Sequence, residues 1–301
     1  VDIRTATLET SYGETAVLRI LDRDESLFNL GDLGFRPDAL NAYQEMLKSP
    51  FGIILVSGPT GSGKTTTLYA SLNQLDRVEQ NIMTIEDPIE YRFADIKQTQ
   101  VNEKAGVSFA SALRAMMRLD PDVILVGEIR DAETAKTAVQ AALTGHLVLS
   151  SIHANDAASV PFRLRNLGVE EYLISSVIVG VVAQRMLRRI CSHCKTRREP
   201  GEEERQVFQQ EFGDKKEAKI YTGVGCNFCS NTGYLERIGA FEILPFSSGI
   251  RRALQEGSTP LDLRELAVKE GMVTLKRDGM LKVRQGITTP SEVLRNVFSI
   301  G

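Results

Sequence analysis

Tryptophan is absent from the 301 residues, and aromatics make up only 6%. That scarcity argues against a stacking platform for single-stranded nucleic acid. An excess of one charge is missing too. Lys and Arg number 36 against 39 Asp and Glu, a net charge of −3, so no basic footprint favours DNA or RNA. No run reaches the roughly 18 apolar residues of a membrane span. The strongest candidate, residues 173–183, holds two serines and a glycine and reads as part of a buried helix. Cysteine is missing everywhere except Cys191, Cys194, Cys226 and Cys229. Two Cys-x-x-Cys pairs in such a chain point to a reducing compartment and a metal, not to disulfides. What is present, 42% hydrophobic and 25% charged residues, is the composition of a globular protein with room for one large domain or two ordinary ones.

The chain is organised around Gly58-Pro59-Thr60-Gly61-Ser62-Gly63-Lys64-Thr65-Thr66. An apolar, β-branched run (residues 52–57) precedes it, and a helical pattern follows from Thr66. Strand, glycine-rich loop and helix are the context in which G-x-x-x-x-G-K-[ST] becomes a phosphate site. Its N–H groups turn inward on phosphate oxygens, and the helix N-terminus adds positive charge there. Lys64 is placed to reach the β- and γ-phosphates, and Thr65 to ligate Mg²⁺.

Residues 1–22 alternate as a β-hairpin. A lone hairpin is marginal in water, so it is expected to end a larger N-terminal domain. A polar connector covers 23–36, and a short helix starts at Pro37. Strands are expected at 82–85, 122–126 and 147–152, and helices at 109–117, with Ser108 as N-cap, and at 132–143. Two further helices are expected at about 157–167 and 170–189, and short helices through 240–301 after a strand at 239–243. Buried strands alternating with helices give an α/β fold with a parallel sheet, its ligands at the carboxyl ends of the strands.

Acidic residues sit at two such ends. Glu128 closes the strand that Asp122 opens, and only the closing residue faces the ligand edge. Glu128 is therefore the expected general base. Glu86, in Ile85-Glu86-Asp87-Pro88, is the second acidic strand end, which suggests a divided role between nucleophile and metal. His146 and His153 bracket the fourth strand, roughly 23 Å apart, too far to share one metal. His153 lies at the carboxyl end, where a γ-phosphate sensor would sit. Arg4 and Arg19 are on the hairpin, Arg114 and Arg118 are four residues apart, and Arg130 and Arg163 follow. An arginine delivered from another domain stabilises a transferring phosphoryl group, although most arginines are solvated surface charges. The two cysteine pairs, 31 residues apart, form two knuckles that complete a closed, structural Zn²⁺ site, an iron–sulfur cluster being the alternative. His193 lies inside the first knuckle as a bystander or a competing ligand.

Together, in this order, these motifs resemble the secretion ATPases that drive type II secretion and type IV pilus assembly. Residues 58–66 resemble that family's Walker A, 84–90 its aspartate box, 119–130 its Walker B and 144–155 its histidine box. The tetracysteine module resembles the zinc element of the assembly branch. Ser151 and Ala154 stand where threonines are more usual. The resemblance implies a RecA-like core in a homohexamer, with ATP and Mg²⁺ bound between two domains. Arg4 and Arg19 would reach nucleotide from the N-terminal side, and Zn²⁺ would sit in the cysteine module. It further implies a cytoplasmic enzyme at the inner face of the inner membrane, acting on a platform protein to assemble pilin or pseudopilin filaments, with no nucleic acid partner. A longer region is expected ahead of Val1. The expected division is hairpin 1–22, linker 23–36, core 37–190, zinc module 191–232 and helical subdomain 233–301. Two rivals are a RecA-like nucleic-acid-dependent ATPase whose zinc module grips DNA, and an adaptor that binds ATP without turnover. Charge and aromatic content weigh against the first, and intact Lys64, Thr65 and Glu128 against the second.

Overall fold

Ile53 and Leu55 are fully buried in one core and Ile54 and Val56 in another. A strand with apolar residues on both faces must be covered on both sides, and the fold is built around that requirement. The computed structural model describes residues 2–21, 29–213 and 220–297, with the side chains of residues 2, 4 and 19–21 outside the description. The elements are β1 (Asp2–Thr10), β2 (Gly13–Leu21), α1 (Pro37–Leu47), β3 (Gly52–Ser57), α2 (Lys64–Leu72), β4 (Ile82–Glu86) and β5 (Lys97–Gln100). Next come α3 (Phe109–Met116), β6 (Val123–Ile129), α4 (Ala132–Leu143), β7 (Leu147–Ile152), α5 (Val160–Asn166), α6 (Glu171–Val177) and β8 (Ile178–Ile190). The remainder is β9 (Lys195–Arg198), α7 (Glu202–Phe212), β10 (Ile220–Gly223), β11 (Tyr234–Pro245), α8 (Ser248–Gln255), α9 (Pro260–Lys269), α10 (Leu275–Arg284) and α11 (Pro290–Val297).

Seven strands form the central sheet in the order β11-β8-β3-β7-β6-β4-β5. Neighbours run parallel except β11, which is antiparallel to β8. Helices α1 and α2 cover one face, and α3, α4 and the C-terminal helices cover the other. The carboxyl ends of β3, β7, β6 and β4 therefore lie side by side on one edge. Helix starts match the capping rules: Ser108 caps α3 with a reciprocal bond from Ser111, and Pro37 opens α1.

The helix expected over 170–189 is instead a short α6 followed by the 13-residue strand β8. Val181 and Val182 are adjacent and both fully buried, in opposite cores. An apolar run buried on both faces has no period, so periodicity cannot separate a helix from a strand. The β-branched Ile178, Val179, Val181 and Val182 favour the strand. Gly180 lets α1 close in, since a Cβ there would meet Met46 Cε at 2.3 Å. The strand expected at 239–243 is likewise longer, and β11 pairs along β8, so the C-terminal segment begins inside the core sheet. Polar β5 gave no strand signal because it lies at the sheet edge. Residues 22–28 of the expected connector lie outside the described residues.

Asp278 of α10 is fully buried between two cations, Arg36 Nη1 at 2.8 Å and Lys282 Nζ at 2.6 Å. It also accepts from the Phe241 backbone N–H at 2.8 Å. Burial lowers the Lys282 pKa, and Asp278 opposes that shift. Removing the carboxylate charge leaves the buried Lys282 ammonium without its counter-ion, whereas Arg36 keeps Asp38. Asp278→Asn is expected to cost about 3–5 kcal/mol, read as a fall in the urea midpoint at unchanged m-value.

Candidate nucleotide site and cysteine centre

The loop from Gly58 to Gly63 leaves the end of β3 and wraps over the start of α2. Gly58 adopts φ +152°, and a Cβ there would lie 2.5 Å from Ser62 Oγ and 2.6 Å from Gln184 O. Only glycine fits that turn, because a side chain there would run into Ser62 and the β8 backbone behind the loop. Gln184, from β8, pins the loop from behind. Its Nε2 donates to Ser62 O at 2.5 Å, and its Oε1 accepts from Thr67 Oγ1 at 2.8 Å. Gln184 escaped the sequence reading because its strand reads as a helix. Lys64 Nζ donates to the carbonyls of Gly58 and Pro59 at 2.8 and 3.1 Å. Burial lowers its pKa, and the facing charge of Glu128 restores part of the loss.

A cleft of about 530 Å³ opens over this loop, lined among others by Lys64, Thr65, Glu86, Glu128 and His153. Pro59, on the loop's outer turn, and Ser62, buried beneath it, are absent from that lining, whereas Thr60, Gly61, Gly63 and Thr66 contribute to it. The open backbone cradle, Lys64 and the Thr65 hydroxyl are the donor set that a nucleotide polyphosphate with Mg²⁺ requires.

The two acidic strand ends differ in environment. Glu86 is 3% exposed. It accepts from the Tyr69 hydroxyl, from Thr84 Oγ1 at 2.6 Å and from Gln98 Nε2 at 3.0 Å. Its charge raises the pKa of Tyr69, adding to the effect of that residue's burial. Tyr69 lies one turn into α2, and no motif points to it. Glu128 is 14% exposed and more open to the cleft. Its Oε2 pairs with Arg130 Nε at 2.5 Å and lies 3.8 Å from His153 Nε2. Strand β6 extends through Glu128 to Ile129, with a register shift after Val126 that re-aims this end. Burial lowers the His153 pKa and Lys64 lowers it further, while Glu128 raises it.

Other expected residues lie elsewhere. His146, at the opposite end of β7, donates from Nδ1 to Ala141 O at 2.8 Å, which is a structural role. Arg114 pairs with Glu133 at 2.9 Å on the surface. Arg118 and Arg163 are exposed. Arg4 and Arg19 face each other in the register of β1 and β2, with their side chains outside the described residues.

The four cysteines converge, their Sγ atoms all within 4.8 Å of one another. The Cys191–Cys226 and Cys194–Cys229 distances are 3.8 Å, and Cys226–Cys229 is 3.7 Å. A tetrahedron with Zn–S bonds of about 2.3 Å has an edge of about 3.8 Å. These spacings therefore fit a tetrathiolate metal site far better than a thiol hydrogen-bond network. The N–H groups of Cys226 and Gly233 both point at Cys229 Sγ at 3.3 Å, as they would toward a metal-bound thiolate. His193 stacks on Phe228 at 3.9 Å between ring centroids and is not among the ligands.

The family model described as type II/IV secretion system protein matches residues 1–295. The chain belongs to this family. The type IV pilus assembly ATPase PilB of Thermus thermophilus is 46% identical over 294 residues, 98% of this chain and 33% of the relative. The type II secretion system ATPase E of Vibrio cholerae is 45% identical over 296 residues, 98% of this chain and 58% of the relative. This family member thus spans between a third and three fifths of the relatives it matches. Among solved structures, the pilus retraction motor PilT with bound ADP superposes with a TM-score of 0.69 at 29% identity, covering 97% of this chain and 73% of that one. The ATPase DotB of Legionella pneumophila gives 0.68 at 21% identity, covering 97% and 71%, a likeness of fold. The α/β core with its mostly parallel sheet is therefore the fold of these ATPases.

Two measurements follow. Prolonged chelation, or Cys226→Ser, is expected to release one equivalent of zinc and to raise amide exchange in 191–233, leaving the β3–β7 core protected; elemental analysis and exchange mass spectrometry read both. The His153 imidazole is expected to titrate below its ordinary 6.5, and Glu128→Gln to lower the midpoint further by removing the charge that raises it. NMR of the ring protons checks the sign, and a midpoint above 6.5 contradicts it.

Proposed function

We propose that this chain is the motor portion of an ATPase whose ATP hydrolysis powers assembly of pilin or pseudopilin filaments. The observation that carries the reading is the convergence of Lys64, Glu86, Glu128 and His153 from adjacent strand ends on one glycine-lined cleft. Gly61 and Gly63 leave the backbone bare for the triphosphate. Lys64, whose ammonium donates to the carbonyls of Gly58 and Pro59, is the cation that reaches the β- and γ-phosphates. Thr65 would hold Mg²⁺, which would supply neutralisation of the phosphate charge.

Water attacks the γ-phosphorus as the bond to the β,γ-bridging oxygen breaks, giving ADP and phosphate. Glu128 is the base that receives the water's proton, since it is the more accessible of the two carboxylates. Glu86, committed to three donors, would orient water around a bound Mg²⁺. A neutral His153 sits beside Glu128 and senses whether the γ-phosphate is present. Arg4 and Arg19 complete the site from the hairpin side when the cleft closes. Zn²⁺ in the four cysteines holds the 191–232 module together, a binding free energy on the order of 10–16 kcal/mol in comparable peptides.

A ring of copies, six in the family's arrangement, would turn this opening and closing into work on an inner-membrane platform protein at the cytoplasmic face. Relatives named for pilus assembly and for type II secretion match at 46% and 45%, so the proposal spans both machines.

Purified full-length protein tests this with Mg²⁺-ATP. Lys64→Ala is expected to weaken nucleotide binding about 10- to 100-fold, the loss of charge-assisted bonds. Glu128→Gln is expected to keep binding and lower turnover by about 10²-fold or more. Equal turnover in that variant removes Glu128 from the mechanism. Full nucleotide binding without any wild-type turnover replaces the motor with an adaptor.

A further inference from the structure

Glu242 is a buried carboxylate that hydrolysis does not use. It lies on β11, is 1% exposed, and makes no ion pair within 4 Å among the described residues. Its two oxygens serve two different elements. Oε1 accepts from the Ala157 backbone N–H at 2.8 Å, and Oε2 from the Leu275 N–H at 3.1 Å. Ala157 is four residues past His153, in the loop between β7 and α5. Leu275 is the first residue of α10, where a free N–H and the helix dipole both favour an anion. Burial pushes the Glu242 pKa up, and these two N–H groups oppose the shift. An apolar residue would fill this space without a desolvation cost. What the carboxylate adds is a pair of acceptors that tie the loop behind His153 to α10.

Both ends of that tie continue. Arg185, 7% exposed, donates to Asn155 O at 2.6 Å in the same loop and to Gln184 O at 3.0 Å. Gln184 in turn holds Ser62 and Thr67 of the phosphate loop and its helix. At the other end, Asp278 lies one turn along α10 from Leu275 and binds Arg36, which ends the connector from the hairpin. Phe35, next to Arg36, stacks on Phe241, the neighbour of Glu242, with ring centroids 3.6 Å apart. Polar contacts joined by short stretches of backbone thus run from the phosphate loop through Gln184, Arg185, the 155–157 loop, Glu242 and α10 to Arg36.

We propose that Glu242 is a positioning residue that couples the loop behind His153 to α10, so that a nucleotide-dependent shift of that loop is passed through Asp278 to Arg36 and the connector. The proposal rests on the ATPase reading above for the nature of the ligand. It assigns the output path of the site to the β8–β11 side of the sheet and not to its far edge at β5. Glu242 touches no substrate; it acts through backbone.

The test uses full-length protein and two variants that cut the same link from opposite sides. Glu242→Gln keeps the volume and loses one of the two acceptors. Leu275→Pro deletes the donor N–H at a position where proline is accepted, and Thr274 already has the φ −67°, ψ 156° that suits a residue before proline. Because Leu275 is a buried core residue, Leu275→Ala, which keeps the N–H, controls for the lost packing. Hydrogen exchange is read across α10 and residues 155–158, with and without a non-hydrolysable ATP analogue and Mg²⁺, alongside nucleotide affinity, turnover and thermal melts. In wild type the analogue is expected to change protection in both segments together. In each variant the change in α10 is expected to vanish, with nucleotide affinity within about 3-fold and turnover down about 10-fold, a kcat effect rather than a KM effect. In turnover, the double variant is expected to fall no further than the worse single one once the loss seen in Leu275→Ala is subtracted, because both cut the Glu242–Leu275 contact.

A wild-type α10 that ignores nucleotide overturns the proposal. So do variants that keep the α10 response while only their melting temperature falls, which makes Glu242 a structural staple. If one variant does not fold, the other and the wild-type response still decide. Absence of wild-type turnover defeats the ATPase reading alone, because the exchange measurement requires only binding.

Discussion

A side chain at Gly58 would run into both Ser62 and the Gln184 carbonyl. The glycine-rich turn can curl inward only because β3 ends there, and β3 holds its place only because cores on both faces bury it. Gln184 then clamps the turn from the neighbouring strand. A phosphate cradle is a set of backbone groups, and backbone groups keep their direction only if the segments flanking them cannot move. The double-sided burial of β3 and β8 supplies that rigidity, and the remaining site residues are hung from the strands beside it.

The same sheet explains how two carboxylates of similar chemistry acquire different work. Glu86 and Glu128 end strands that are neighbours in the sheet. Tyr69, Thr84 and Gln98 surround Glu86 and leave it 3% exposed, whereas Glu128 meets the cleft beside His153 with an exposed Arg130 as its partner. Accessibility is a property of the surroundings, and those of Glu86 come from α2 and β5 as well as from its own strand. The sequence could say that two acids sit at strand ends. It could not say which of them is already engaged.

The cysteine centre is the opposite case. A Cys-x-x-Cys knuckle is local geometry, so two of them announce a tetrathiolate site without reference to the rest of the fold, and the Sγ distances of 3.7–3.8 Å agree. His193, inside a knuckle, needed the structure to place it, because stacking on Phe228 removes it from the ligand set. The C-terminal helices were legible from their spacing and caps. Their attachment was not, because Asp278 and Glu242 reach partners more than 80 residues away or on another element altogether.

By itself the sequence determined what depends on near neighbours: the phosphate loop between a strand and a helix, the Ser108 cap and the Pro37 helix start, the hairpin, the two cysteine knuckles, and the acids at the ends of β4 and β6. Tertiary structure alone decided what depends on burial from both sides. Residues 178–190 became a strand because both faces of the run are covered, and that strand delivers Gln184 and Arg185 behind the phosphate loop. The physical reason is the same in each case. Turn and cap preferences are set within a few residues, whereas an apolar run without period takes its conformation from whatever packs against it.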